Sequence, residues 1–238
     1  MNIKKCLIGA LAFLPGFVYA GNDLDSIQDL AQDQFRILAE NLVAATSYKA
    51  LAPAEPLGIL GFDVGVELTT TDLNKDIFEI ASAANWDYSF LPLAKLHAHK
   101  GLPFNLDVGA FYTSVPDTDI KVFGAELRYA LLEGSIATPA VAVRLSYSKM
   151  DGIDQLELDN KGIDVSISKG FAMLTPYAGV GRVFSTVKPV GIDLLKTEDI
   201  EEAKVFAGIN INLGINLAFE VDRTAGINSY SAKVGLRF

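Results

Sequence analysis

The residues best suited to chemistry are His97 and His99, the only two histidines among 238 residues. A His-x-His spacing puts both imidazoles on one face of a strand, and Lys95 shares that face. Asp107, on the strand expected next, would complete a set of imidazoles and a carboxylate of the kind zinc accepts. Lys95 and Lys100 bracket the pair, however, and nearby positive charge opposes a cation. The expectation is therefore a polar rim with no metal, no cofactor and no catalytic residue. A nucleophilic triad also lacks parts: there is no further histidine, and the single cysteine, Cys6, lies in a segment expected to be removed.

A second group is larger. Glu67, Lys95, Asp107, Glu126, Arg128, Arg144, Asp164, Lys204, Glu220, Lys233 and Arg237 fall on the polar face of alternating segments. Charges of both signs at such positions can pair across a narrow lumen. The expected outcome is a salt-bridge network that fills and stiffens a barrel; a narrow solute path is the alternative. The acidic stretch 185–201 and its neighbour Glu202, with Asp193, Glu198, Asp199 and Glu201, is expected as a solvated loop, with a divalent ion as the other option.

These residues need strands to position them, and the sequence supplies the period. Phe62, Val64, Val66 and Leu68 alternate with Asp63, Gly65 and Glu67. The same alternation runs through residues 104–112, 123–131, 141–147, 163–167, 177–181 and 203–221, and then to the end of the chain. A three-residue turn at 214–216, pairing Leu213 with Leu217, divides the segment that is too long for one strand. With a less regular strand at 88–99 the count is ten, with eight to twelve acceptable. An even count puts both ends of the chain on the periplasmic side, with short turns there and longer loops outside. Aromatic residues at the two rims, Trp86, Tyr88 and Phe90 at one and Phe104, Phe171 and Phe238 at the other, suit membrane interfaces.

The N-terminal part differs. Residues 1–20 carry Lys4 and Lys5, an apolar run too short to span a bilayer, and small residues before a cleavage point between Ala20 and Gly21: a signal peptide. Residues 21–56 form a second unit. Leu24, Ile27, Ala31, Phe35, Leu38 and Leu42 fall on one helical face, and the stretch 50–58 is a linker with two prolines. This unit is expected either to plug the lumen or to lie in the periplasm. Residues 57–238 form the barrel.

Half the residues are hydrophobic, yet beyond the signal no apolar run is long enough for a membrane helix. The formal charge of −9 becomes −11 once Lys4 and Lys5 are lost, which excludes nucleic acid as a partner. Mid-strand charges and seven glycines on the polar face favour a membrane barrel, polar inside, over a soluble one.

The terminal SYSAKVGLRF, with Tyr230, Ala232, Val234, Leu236 and Phe238 on one face, resembles the C-terminal signal of outer-membrane proteins. The segments SYKALAPAEPLG, HAHKGLPF, GAELRYALLEG and SKGFAMLTPYAGVGR resemble a largely uncharacterised family of proteobacterial outer-membrane proteins. The resemblance implies an all-β, transmembrane, antiparallel up-and-down barrel with an N-terminal amphipathic helix. It also implies outer-membrane lipid, lipopolysaccharide and the barrel-assembly machinery as partners. It brings no catalytic or binding residues, and it leaves the oligomeric state open. Some small outer-membrane barrels are proteases or lipid A-modifying enzymes, similar to this chain in architecture only. Their chemistry sits at the outer rim, whereas His97 and His99 are expected at the periplasmic end.

Overall fold

The computed structural model describes residues 24, 26–82, 89–115 and 118–238. The expected signal peptide, its cleavage point at Ala20–Gly21, and Trp86 and Tyr88 lie outside the described residues.

Ten antiparallel strands close into a barrel in sequence order. They are β1 (Phe62–Asp72), β2 (Phe90–Gly101), β3 (Leu106–Ser114), β4 (Lys121–Glu133), β5 (Ala140–Asp151), β6 (Leu156–Ser168), β7 (Leu174–Pro189), β8 (Glu198–Asn212), β9 (Asn216–Thr224) and β10 (Ile227–Arg237). The first and last strands seal the wall, with Val66 opposite Val234 and Glu67 opposite Lys233. Among the described residues two α-helices accompany the strands, α1 (Gln32–Thr46) and α2 (Lys75–Ser82). No described helix is long and apolar enough to cross a membrane; crossing would fall to the strands.

The alternation predicts which side chains point out. Val66, Leu127, Leu145, Val165, Val180, Val205, Phe219 and Val234 are all exposed, while Glu67, Arg128, Arg144, Asp164, Lys204 and Lys233 are buried in the lumen. Of the terminal segment, Tyr230, Val234, Leu236 and Phe238 are exposed and Ala232 is half-exposed.

The pattern inverts along β5 to β8. Toward the loops that join β5 to β6 and β7 to β8, the outward positions become Lys149, Asp151, Glu157, Asp159, Lys188, Asp199 and Glu201. The inward ones become Met150, Leu156, Leu158, Val183, Val187 and Ile200, all buried. The barrel thus has two levels. The terminal level, near Phe238, is apolar outside and charged inside; along β5 to β8 the loop level is charged outside and apolar inside, while β1, β9 and β10 keep Thr71, Thr224 and Ser229 buried within it.

Several expectations need correction. The helix starts at Gln32, because Leu30 and Ala31 are extended; a 3-10 turn, Ile27–Asp29, precedes them. Its face buries Leu24, Ile27, Phe35, Leu38 and Leu42, but Ala31 is exposed. The β8–β9 turn is three residues long but shifted by one: Asn212 pairs with Asn216 and Ile211 with Leu217, so Gly214, at φ +87°, occupies the centre. The stretch 185–201 is mostly strand, leaving a loop of residues 190–197, so Glu198, Asp199, Glu201 and Glu202 belong to β8 and only Asp193 is a loop acid. The segment after β1 contains α2 rather than loop alone. Finally, the first and last described parts of the chain do not lie together. Ser26 N–H donates to Ala81 of α2 at the loop end, whereas Phe238 pairs with Phe62 at the other.

Candidate functional site: the occupied lumen

The lumen holds α1 and the linker that follows it. At the loop level, Phe35, Leu38, Ala39, Leu42 and Val43 pack with Phe78 of α2 and with the inward residues Val122, Met150, Leu158, Val187 and Ile200. Gln32 and Arg36 tie the helix to the β7–β8 region: Gln32 Nε2 bonds the Lys196 carbonyl and Glu198, Lys196 N–H returns a bond to Gln32, and Arg36 pairs with Glu198 at 2.9 Å. The helix stops at Thr46, where Ser47 turns extended. Ser148 donates to the Thr46 carbonyl and Asn160 to its hydroxyl.

Beyond α1 the surroundings turn polar. Residues 47–60 cross the terminal level among the charges that the sequence placed inside. Lys49 Nζ sits 2.8 Å from both Asp222 Oδ1 and the Ala44 carbonyl. The successive N–H groups of Ala50 and Leu51 both donate to Glu220, and Leu51, at φ +42°, bends the chain beyond them. Lys204 donates to the Tyr48 carbonyl and Ser168 accepts from Ala54 N–H. Arg128 Nη1 donates to the Pro53 carbonyl at 2.7 Å and its Nη2 to Asp107 Oδ2 at 2.6 Å, while Asp107 accepts from Leu57 N–H. The wall charges therefore pair with one another and grip the backbone of the linker at the same time.

Each expected network residue has a place in this set. Lys95 meets Glu67 at 2.8 Å; Arg144 lies 3.0 Å from Glu126 and 3.8 Å from Asp164; Lys233 and Arg237 converge on Asp63 at 2.7 and 3.1 Å. Asp63, Asp222, Lys49 and Tyr48 were missed as members. Asp63 could have been found by parity, since it alternates with Phe62 and Val64. Asp222 follows the last apolar residue of the 203–221 alternation, and Lys49 and Tyr48 precede the barrel, where no period marks them.

The histidines are buried on the lumen side near the terminal end. Their third partner differs. Asp107 is held by Arg128, and the carboxylate within 4.8 Å of both histidines is that of Asp63. His97 Nε2 lies 3.3 Å from Asp63 Oδ1, and His99 Nε2 lies 3.0 Å from the Tyr48 hydroxyl and 3.4 Å from Glu126. With Lys233 and Arg237 on the same carboxylate, the donor set suits an ion-pair hub better than a divalent cation.

The inward glycines make room for large lumen side chains. Gly124 stands opposite Phe111, Gly179 opposite Phe206 and Gly208 opposite Tyr177. A Cβ at Gly179 would come within 2.2 Å of the Phe206 ring. The Arg144 guanidinium and Lys204 ammonium lie 5.8 and 5.4 Å from that ring. A cavity between the linker and Ser146, Asn160, Asp164 and Lys204 measures about 10 Å³, space for roughly one water.

No family model and no curated protein matches the chain. Three solved structures are similar over much of its length. They are Ail, the attachment invasion locus protein of Yersinia pestis, in complex with sucrose octasulfate; a loop-deletion mutant of OmpT, an outer membrane protein of Vibrio cholerae; and Neisserial surface protein A. The identities are 10, 14 and 9%, and the TM-scores 0.34, 0.33 and 0.29. The alignments cover 75, 73 and 74% of this chain and 98, 59 and 95% of the others. Likeness at this level carries no argument about role; the closed barrel stands on its own strand registers.

Proposed function

We propose that this chain is an outer-membrane β-barrel stoppered by its own N-terminal segment, a non-enzymatic anchor rather than an open pore. The observation that carries the reading is the occupied lumen. The helix fills the loop level as an apolar core, and backbone bonds to Asp107, Arg128, Ser168, Lys204 and Glu220 hold the linker through the terminal level. The apolar outward belt of the terminal level supports the membrane reading, since such a surface is stable only against hydrocarbon.

In this reading the terminal level lies in the bilayer, the short turns face the periplasm and the loop level stands in the outer aqueous layer. Its outward Lys149, Lys161, Arg182 and Lys188, interleaved with acids, then meet the phosphates and sugars of lipopolysaccharide. The chain reaches the membrane through a signal cleaved after Ala20, and the barrel-assembly machinery reads the last strand through Tyr230, Val234, Leu236 and Phe238. The network charges serve structure, and His97 and His99 belong to it. A role as a small-solute channel is the competing outcome.

Recording in planar bilayers tests the stopper. The intact protein is expected to give no stable unitary conductance, and a variant lacking residues 24–57 is expected to give steps. Stable steps of the intact protein would establish a channel instead. Changing His97 and His99 together to Ala is expected to leave lipid A and peptide substrates untouched by wild type and variant alike; turnover by the wild type that the variant loses would establish an enzyme.

A further inference from the structure

The path of the chain through the barrel has a direction. At the loop end, Leu24 and Ile27 pack on Ile77 and Phe78 of α2, and Gln32 bonds the 190–197 loop. Lower down, Thr46 meets Ser148 and Asn160, and Tyr48 meets His99. Lower still, Leu57 meets Asp107, and Gly61 N–H bonds the Gly58 carbonyl just before Phe62 pairs with Phe238. Residues 32–61 therefore run from one mouth of the barrel to the other and enter β1 at the mouth opposite to their start.

From this threading we infer a further function: the barrel displays its N-terminal segment on the outer face of the cell. The inference rests on the membrane reading above, which puts the loop level outside. Residues 26–31, which precede α1, then stand at the surface. The loop-level core fixes the exit point, and the linker's bonds to the wall prevent retraction. A stopper inserted from the periplasm would have the reverse polarity, with its N-terminus beside Phe238. The exposed residues at the exit, Gln28 and Asp29, are presented to solvent rather than packed against the wall.

Cysteine accessibility tests this in whole cells, because Cys6 is the only cysteine and lies within the expected signal. Three single variants are needed: Gln28→Cys at the exit, Leu194→Cys in the 190–197 loop and Ala137→Cys in the turn between β4 and β5. All three positions are exposed, and Asp29→Cys serves as a second probe if Gln28→Cys folds poorly. A maleimide that cannot cross the outer membrane is applied before and after permeabilisation, with a heat-shifted gel band as the check on folding. The expected result is labelling of Gln28→Cys in intact cells to the extent of Leu194→Cys, with Ala137→Cys labelled only after permeabilisation. If Gln28→Cys needs permeabilisation while Leu194→Cys does not, the display is overturned and the barrel orientation stands. If Leu194→Cys is hidden and Ala137→Cys is open, the orientation fails and the display with it. The stopper is judged separately: conductance by an intact protein whose Gln28→Cys variant labels from outside would sink the stopper and leave the display standing.

Discussion

The two levels of the barrel solve opposite problems with one set of strands. In the terminal level the outside must be apolar, so the inside receives the polar residues, and many are paired: Lys95 with Glu67, Arg128 with Asp107, Lys233 and Arg237 with Asp63, whereas Arg144 faces Glu126 and Asp164 as opposite charges without a hydrogen bond. In the loop level of β5 to β8 the outside is charged, so the inside is free to be an ordinary core, where Leu158 and Val187 pack with Leu38 and Phe78. β6 shows the change within one strand: Leu156 and Leu158 point in, Ile163, Val165 and Ile167 point out, and Asn160 and Gly162 fill the switch. A pleated strand cannot rotate its side chains, so the inversion must be written into the sequence. Where it occurs is where the surroundings change.

The largest effect is expected where pairing alone stabilises the interior. Asp63→Ala strands Lys233 and Arg237 in the lumen, and should cost about 3–5 kcal/mol, because an unpaired buried charge keeps its full desolvation penalty. Adding Lys233→Met should recover part of that loss. Denaturant titration of the protein folded in lipid vesicles gives both numbers, and full additivity of the two losses would show that Asp63 does not hold Lys233. The loop level should behave as a soluble core. Leu158→Ala, at a fully buried position, is expected to cost about 2–5 kcal/mol through lost transfer energy and an unfilled cavity. Rescue of Leu158→Ala by added charge pairs, or of Asp63→Ala by apolar filling without removal of a cation, would break the distinction between the levels.

The terminal level was readable in advance because period two is simple and its polar face carries charges that only a lumen tolerates. Strand count, the inward residues of the network and the outward terminal segment all follow from parity. The loop level was misread for the same reason. In a strand read as apolar-out, Val187 and Ile200 break the pattern, and 185–201 reads as loop. The inversion is visible in hindsight as a phase slip between Leu158 and Ile163. The site was harder still. Helical period showed an apolar face on residues 24–42, but nothing local says what will cover it, and the periplasm was as good a place as the lumen. Lys49 and Asp222, 173 residues apart, become a pair only after the barrel has closed around the linker.

The boundary between levels can be sharpened from the outside. A lysine at Val165, in the terminal level, should cost about 2–4 kcal/mol in lipid, falling as the position nears the interface. A lysine at Phe184, outward on β7 and already beside Lys161, should change stability by less than about 0.5 kcal/mol. Equal costs at the two sites would put both in hydrocarbon and erase the boundary.

The smallest expected effect locates that boundary best. Arg182 and Glu201 form an ion pair on the outward faces of β7 and β8, and both side chains are more than half exposed. Arg182 stands opposite Ile163, so it is the first outward charge above the apolar belt on its strand. In water such a pair is worth about 0.2–1 kcal/mol, since solvent screens it and ordering two long side chains costs entropy. A double-mutant cycle with Arg182→Ala and Glu201→Ala should therefore give a coupling in that range, lost in high salt. In hydrocarbon the same pair would be screened far less, and removing one partner would leave a charge with no water to receive it. A coupling well above about 1 kcal/mol that survives salt would move the lipid surface up past Arg182. It would also pull Lys161 and Phe184 into the membrane and shorten the part of the barrel that stands outside.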